Sequence, residues 1–162
     1  AAAGPVEVAP VVAGDAVAAA QPDMATSAPP LTRRQLRRIE RTVAAVERAS
    51  GLQFCVYVGP TEDDPRAHAE RLLAAADAHT QPAVLVLVAP AIRRFEIVTA
   101  PLARQRLSDR ACRLAAASMA ASFAVGDLAG GVVTGLSMLA ESAGRAEQSA
   151  AVGEQLPDVL SG

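Results

Sequence analysis

The sequence predicts an α/β fold whose elements follow the order helix-strand-helix-strand-strand-helix-helix, and three observations support it. A pattern of apolar residues with helical spacing precedes "LQFCVYV", a short run rich in β-branched and aromatic residues. The run "AVLVLVA" at 83–89 is apolar at every position, as expected of a central strand covered by helices on both faces. Two more helical patterns follow the last predicted strand, so the sheet should be small.

The first predicted helix begins with a capping box formed by Thr32 and Gln35, directly after two prolines. Gly51 is the predicted C-terminal cap. Apolar residues recur every three or four positions and should share one buried face: Leu36, Ile39, Val43 and Val46.

The opposite face of this helix carries arginines, because about 100° separates successive residues. The predicted positive stripe consists of Arg34, Arg38, Arg41 and Arg48. One interpretation is an ordinary solvated face. The other is a docking surface for an acidic protein or for lipid headgroups.

The second helix should begin with Asp64 as N-cap and Pro65 as its first residue. Ala69, Leu72 and Leu73 should then face inward. After the central strand, "RRFEIVTA" alternates between polar and apolar residues, which predicts a strand nearer the edge, paired after a tight turn at residues 90–91.

Two closing helices complete the predicted domain. Ser108 should cap the first, which runs to Phe123, and Asp127 should cap the second, which runs to about Ala143. The Gly131 and Gly135 pair forms a GxxxG pattern, interpreted as close packing of the helix on the sheet.

The chain ends are predicted to lie outside the packed domain. Residues 1–30, rich in Ala, Val and Pro, indicate an extended or disordered arm, although "PVEVAPVV" could add an edge strand. Residues 31–143 form the predicted domain, and residues 144–162 a flexible tail. No apolar run is long enough for a membrane span, and the start of the sequence lacks the pattern of a signal peptide. The predicted location is cytoplasmic, with peripheral membrane contact as an option.

Composition limits the classes of partner. The 162 residues are 51% apolar but only 2% aromatic, which argues against nucleic-acid binding by base stacking. All 15 basic residues are Arg, yet the net charge is −2, so no global basic field exists. Cys55 and Cys112 have no spacing typical of zinc sites and are interpreted as small buried hydrophobes, with a disulfide or a nucleophile as alternatives.

Several segments resemble the TPM domain family, which is named for thylakoid-lumen, photosystem-repair and receptor-assembly proteins. They are "LTRRQLRRIERTVAAVERASGLQFCVYV", "AHAERLL", "AVLVLVA" and "LSDRACRLAAASMAASFAVGDLAGGVVTGLSML", within residues 31–142. The chain is most similar to an uncharacterised actinobacterial branch. The resemblance implies a three-layer α/β/α sandwich with a mixed sheet. It also implies either a calcium-binding acid phosphatase or an assembly factor for membrane complexes.

The sequence departs from that family at two strand ends. "HTQPA" at 79–83 replaces the family's Asp-Asn-Gly turn, and "TAPLARQRL" at 99–107 replaces its Gly-Tyr-Gly-Leu stretch. Both changes fall where open α/β sheets build their binding crevices. Since Ca²⁺ needs six to eight oxygen ligands, these losses argue against a retained metal site.

The remaining acids have two interpretations. In the functional interpretation, Asp63 follows the first strand, Asp109 approaches it from the start of the later helix, and the two form a paired-carboxylate or cation site. The structural interpretation makes Asp64 an N-cap and treats Glu62, Asp63 and Asp109 as acids favoured by helix dipoles. His68 is interpreted as an exposed or hydrogen-bonded side chain and not as a catalytic base, because no nucleophile is indicated near it.

The favoured function is a non-catalytic accessory or assembly domain that binds a membrane-associated protein complex, with no cofactor. Its predicted contact residues are the arginine stripe together with Arg93 and Arg94. The first alternative is a calcium-dependent phosphatase in which Arg93, Arg94 or Arg104 holds phosphate. The second alternative is a peripheral binder of anionic membranes.

Overall fold

The computed structural model describes residues 31–61, 64–76 and 81–161, with side chains up to residue 151 except that of residue 149. A short 3₁₀ turn, Pro90–Ile92, joins the second and third strands. The helices are α1 (Arg33–Ser50), α2 (Pro65–Ala75), α3 (Pro101–Arg104), α4 (Asp109–Ala124) and α5 (Leu128–Ser161), and the strands are β1 (Gln53–Val58), β2 (Ala83–Ala89) and β3 (Arg94–Thr99). The predicted arm, residues 1–30, lies outside the described residues.

The three strands form a mixed sheet in the order β1-β2-β3. β1 runs parallel to β2, with Val58 opposite Val88. β3 runs antiparallel to β2, with Arg94 opposite Ala89 and Thr99 opposite Val84. The predicted central position of β2 is confirmed, as is the edge position of β3. One end of the sheet therefore holds the carboxyl ends of β1 and β2, and the other holds the end of β3.

Helices cover both faces of this sheet. On one face, α1, α4 and α5 pack against alternate residues of β1 and β2, including Phe54, Val56 and Val86. On the other face, Ala69 and Leu73 of α2 pack against the intervening residues of β2 and against β3. All seven residues of β2 are buried. The α/β class and the sandwich of helices around a mixed sheet are therefore confirmed.

Local signals explain the boundaries of α1. The Thr32 hydroxyl accepts a hydrogen bond from the Gln35 amide (3.1 Å), and the Gln35 side chain accepts one from the Thr32 amide (2.7 Å). Gly51 ends the helix in the left-handed region, at φ 77°, where a side chain would be strained. The capping box and the glycine cap are both confirmed.

The Gly131 and Gly135 pair contacts a helix and not the sheet, so the prediction of helix-to-sheet packing is wrong. A Cβ atom at Gly131 would lie 2.5 Å from the Phe123 ring, and one at Gly135 would overlap the Met119 thioether. Phe123 and Met119 both belong to α4. The two glycines let α5 approach α4 closely, because helices with small residues at their contact can bring their backbones together.

α5 does not end near Ala143, where the loss of apolar periodicity had predicted a flexible tail. Its backbone remains helical to Ser161. Ala143 is fully buried, and in the next turn Glu147 forms a 2.8 Å ion pair with Arg106. Residues 145–151, "RAEQSAA", are mostly good helix formers and favour helix even without an apolar stripe.

Candidate partner-binding surfaces

The exposed face of α1 carries the largest group of like charges among the surfaces predicted from the sequence. All four predicted arginines are exposed, and two more join them. None of the six forms an ion pair within residues 31–61, 64–76 and 81–161. We call this surface the arginine face: Arg33, Arg34, Arg37, Arg38, Arg41 and Arg48. The helical period places Arg37 beside Arg48, so a wider angular window would have included it.

One of the two acids of α1, Glu47, is engaged elsewhere, and the other, Glu40, forms no ion pair with the arginine face within the described residues. The Glu47 carboxylate accepts a hydrogen bond from the backbone N–H of Phe54 at 2.9 Å and is partly buried. Burial raises the pKa of Glu47 above its ordinary value of 4.5, and the hydrogen bond from Phe54 offsets part of that rise. Glu47 thus links the end of α1 to the start of β1 by a hydrogen bond.

This raised pKa predicts a pH dependence of stability. The folded protein holds the Glu47 proton at pH values where the unfolded chain has released it. The free energy of unfolding should therefore fall as pH rises from 4.5 through the folded pKa. Glu47→Gln keeps an oxygen for the Phe54 amide but cannot titrate, so its urea midpoint should vary less over this window. The exposed Glu141→Gln is the matched control, and an equal flattening in both variants would contradict the assignment.

Arg93 and Arg94 lie together at the carboxyl end of β2, but their surroundings differ. The Arg94 guanidinium is 3.9 Å from the Asp64 carboxylate and 3.6 Å from that of Glu96. Arg93 forms no ion pair in the described part of the chain, and its backbone has the left-handed conformation at φ 54°. Such a conformation is uncommon outside glycine and turns the chain back into β3.

These two arginines border a groove of about 450 Å³. Its floor is apolar, and Phe95 meets Phe123 edge to face with ring centroids 5.1 Å apart. The groove lies at the carboxyl ends of β1 and β2, where open α/β sheets commonly bind ligands. Its lining includes Val88, Phe95, Phe123 and Leu128 below, and Arg93 and Arg94 at the rim.

Of the candidate pair Asp63 and Asp109, only Asp109 lies within the described residues, and it is at the other end of the sheet from Asp64. Asp63 lies outside the described residues, but its neighbour Asp64 contacts Arg94 at the carboxyl end of β2. Asp109 follows β3 and α3 at the other end. No group of three or more His, Cys, Asp or Glu suited to a metal occurs among the described residues.

Each described acid of this hypothesis has a structural role at a helix start. The Asp64 carboxylate accepts a hydrogen bond from the Ala67 amide at 3.1 Å, which caps α2 as predicted. Asp109 is exposed in the first turn of α4, where Ser108 is the cap. Acids favour both positions because the amino end of a helix is electropositive.

His68 and the cysteines also have structural surroundings. The His68 ring packs edge-on against Tyr57 with centroids 5.2 Å apart, and its Nδ1 is buried without a hydrogen-bond partner in the described residues. Cys55 and Cys112 are partly buried and do not form a disulfide bond, so the disulfide alternative is wrong. Burial raises the pKa of the Cys112 thiol, and the Asp109 carboxylate adds to that rise, so the reactive thiolate is disfavoured.

A second group of arginines was not predicted as a site. Residues from three parts of the chain surround a cavity of about 380 Å³ near the end of β3. Of these residues, only Arg104 was predicted to bind phosphate, because the sequence gives no sign that α5 packs beside the loop before α4. We call this cavity the basic pocket: it is lined by Arg104, Arg106, Arg110 and Arg145, with Ser108 and Ser142 between them.

Comparison with known proteins identifies the family. A model described as a domain of unknown function, DUF5130, matches residues 5–140. The chain belongs to the DUF5130 family. No curated protein matches this DUF5130 chain. Within the described residues, no helix is both long enough and apolar enough to cross a membrane.

Solved structures of bacterial proteins share the fold of this DUF5130 chain. The BA42 protein of the psychrophilic bacterium Bizionia argentinensis is 18% identical, with a TM-score of 0.67, over 72% of this chain and 83% of its own. The N-terminal domain of the cg2496 protein from Corynebacterium glutamicum is 16% identical, with a TM-score of 0.59, over 70% and 74%. An N-terminal domain from P. gingivalis is 17% identical, with a TM-score of 0.60, over 69% and 75%. At these identities the likeness concerns the fold alone.

Proposed function

We propose that this protein is a non-catalytic accessory or assembly domain whose arginine face binds an acidic segment of a partner protein. The observation that carries the proposal is the set of six exposed arginines on α1 that lack ion pairs in the described structure. Charge complementarity specifies the chemistry of the partner, because Arg forks pair well with carboxylates.

The arrangement of these charges is unfavourable for α1 alone. Three pairs of arginines are four residues apart: Arg33 with Arg37, Arg34 with Arg38, and Arg37 with Arg41. Like charges at this spacing destabilise a helix by about 0.2–0.5 kcal/mol per pair. Arg33 and Arg34 also occupy the electropositive first turn, which contains no acid. An acidic partner would relieve both costs, which favours a binding surface over an ordinary solvated face.

We further propose that the partner belongs to a membrane-associated complex and that the chain is related to the TPM family. The quoted resemblance supports this part, together with the proximity of Arg93 to an apolar groove. That groove would accept an apolar side chain of the partner beside an acidic one. The phosphatase alternative gains no support, because Asp109 and Asp64 are at opposite ends of the sheet.

The test begins with the partner and ends with a titration. The tagged protein is cross-linked in cells of its own source, the captured protein is identified, and its acidic segment is synthesised. Charge reversal of Arg34, Arg38 and Arg41 to Glu should weaken binding of that segment on the order of 100-fold, since each exposed ion pair contributes up to about 1 kcal/mol. The triple Lys variant, which preserves charge but not the guanidinium fork, should lose less affinity than the charge reversal, and Arg113→Glu on α4 should bind within about threefold of the unmodified protein.

Two outcomes would overturn the proposal. One is capture of no partner, or of a partner whose acidic segment binds the charge-reversed and unmodified proteins equally. The other is direct binding to anionic vesicles at low salt, lost on charge reversal, when no acidic segment binds. The second result would make the arginine face a membrane-binding surface.

A further inference from the structure

The basic pocket concentrates positive charge at the end of the sheet opposite the groove. Arg104 ends α3, Arg106 follows it in the turn, Arg110 is in the first turn of α4, and Arg145 comes from α5. The pocket is thus assembled only when α5 packs beside the loop that precedes α4. Its position is separate from the arginine face and does not depend on the proposed function.

Most of the charge in this pocket lacks a carboxylate partner. Glu147 pairs with Arg106 at 2.8 Å. Arg104 donates to the carbonyl oxygen of Thr99 at 2.9 Å, which is a neutral acceptor. Arg145 likewise donates to the neutral hydroxyl of Ser142 at 3.1 Å, and Arg110 forms no ion pair within the described chain. Within the described residues, three guanidinium groups around one cavity therefore have no carboxylate at ion-pair distance, and their mutual repulsion favours an anionic ligand.

The pocket also offers hydrogen-bond donors suited to an oxyanion. The Arg106 Nε is buried and has no acceptor in the described structure. The Ser108 hydroxyl caps the Ala111 amide at 3.1 Å, while the first two amides of α4 have no acceptor inside the helix. The amino end of this 16-residue helix is electropositive, which adds to the field of the arginines.

We infer that the basic pocket binds a phosphate-bearing small molecule, most favourably one with two linked phosphates. Guanidinium groups bind phosphate oxygens with two parallel hydrogen bonds, and three uncompensated arginines match the charge of a diphosphate. A volume of about 380 Å³ is within the size range of small-molecule sites. The same chemistry is offered by a soluble diphosphate and by a phosphorylated lipid headgroup.

Pyrophosphate is the first probe, added at constant ionic strength while backbone amide resonances are followed by NMR. Saturable shifts should centre on Ser108, Arg110, Ser142 and Arg145. Arg110→Ala and Arg145→Ala should each weaken binding about tenfold, the loss expected for one charge-assisted contact. Both side chains are exposed, so both variants should fold.

The control is Arg113→Ala, an exposed arginine on the same helix that does not line the pocket. It should bind pyrophosphate like the unmodified protein, as should the Arg34, Arg38 and Arg41 charge-reversal variant. Equal weakening by Arg113→Ala and Arg110→Ala would overturn the inference, because it would show diffuse charge attraction. So would shifts that rise linearly without saturation. Failure of the arginine face to bind a partner would leave this result unaffected, so the two proposals can fail separately.

A second arm identifies the source of the phosphate. Vesicles containing a phosphatidylinositol bisphosphate are sedimented with the unmodified protein and with the Arg110→Ala, Arg145→Ala double variant. Sedimentation that the double variant loses supports the pocket as a lipid-headgroup site. Pyrophosphate binding without vesicle binding supports a soluble diphosphate. Absence of binding to both probes overturns the inference.

Discussion

Replacing Phe54 with Ala should lower the free energy of unfolding by about 3–5 kcal/mol, the range for truncating a buried phenylalanine. Phe54 is fully buried in β1, between α1 and the rest of the larger core. The sequence has only three phenylalanines and no tryptophan, so smaller aliphatic side chains supply most of the remaining core volume. Because domains are stable by about 5–15 kcal/mol, this single cavity removes a large part of the total.

Urea unfolding followed by circular dichroism measures this loss. Phe54→Leu, which retains most of the apolar volume, should cost less than about 1.5 kcal/mol. Phe95→Ala removes the same ring from a partly buried edge position and should cost less than Phe54→Ala. Equal losses of unfolding free energy in Phe54→Ala and Phe95→Ala would mean that burial does not determine how much each ring stabilises the protein.

Gly131→Leu should destabilise the protein by about 3 kcal/mol, at the upper end for overpacking a core. A Cβ atom at this position already lies 2.5 Å from the Phe123 ring and 3.1 Å from the Ser122 Cβ, so α4 must move away from α5. Phe123 also packs against Phe95 and lines the groove, so the displacement should reach that groove.

Gly144 provides the matched control on the same helix. A Cβ atom there meets nothing within 4 Å. Gly144→Leu should therefore be neutral or stabilising by about 0.5–1 kcal/mol, since leucine has the higher helix propensity. Thermal unfolding of the two variants would test the contrast. A loss of stability at Gly144 equal to that at Gly131 would indicate that the glycines act through the helix backbone and not through interhelical packing.

Much of the fold could be predicted from the sequence because the deciding signals are local. The capping box at Thr32 and Gln35, the glycine cap at Gly51 and the Asp64 cap each involve neighbours within a few residues. The continuous apolar run of β2 indicated a strand buried on both faces, and helices cover both faces. The exposure of Arg34, Arg38, Arg41 and Arg48 followed from the helical period alone.

The candidate site was less predictable because it depends on strand direction. Asp63 and Asp109 both belong to loops near helix starts, and the sequence does not show at which end of the sheet each loop lies. The antiparallel pairing of β3 places Asp109 away from Asp64, the described neighbour of Asp63. The direction of one strand thus decides at which end of the sheet Asp109 lies.

By itself, the sequence determined the order of the three strands and the four longer helices and which face of α1 carries its arginines, since these depend on spacing within one element. Tertiary structure alone decided the partner of the Gly131 and Gly135 pair and the gathering of Arg110 and Arg145 in one pocket. The physical reason is that packing joins residues far apart in the chain, and the approach of α5 to α4 is set by steric fit between side chains. No local periodicity encodes that fit.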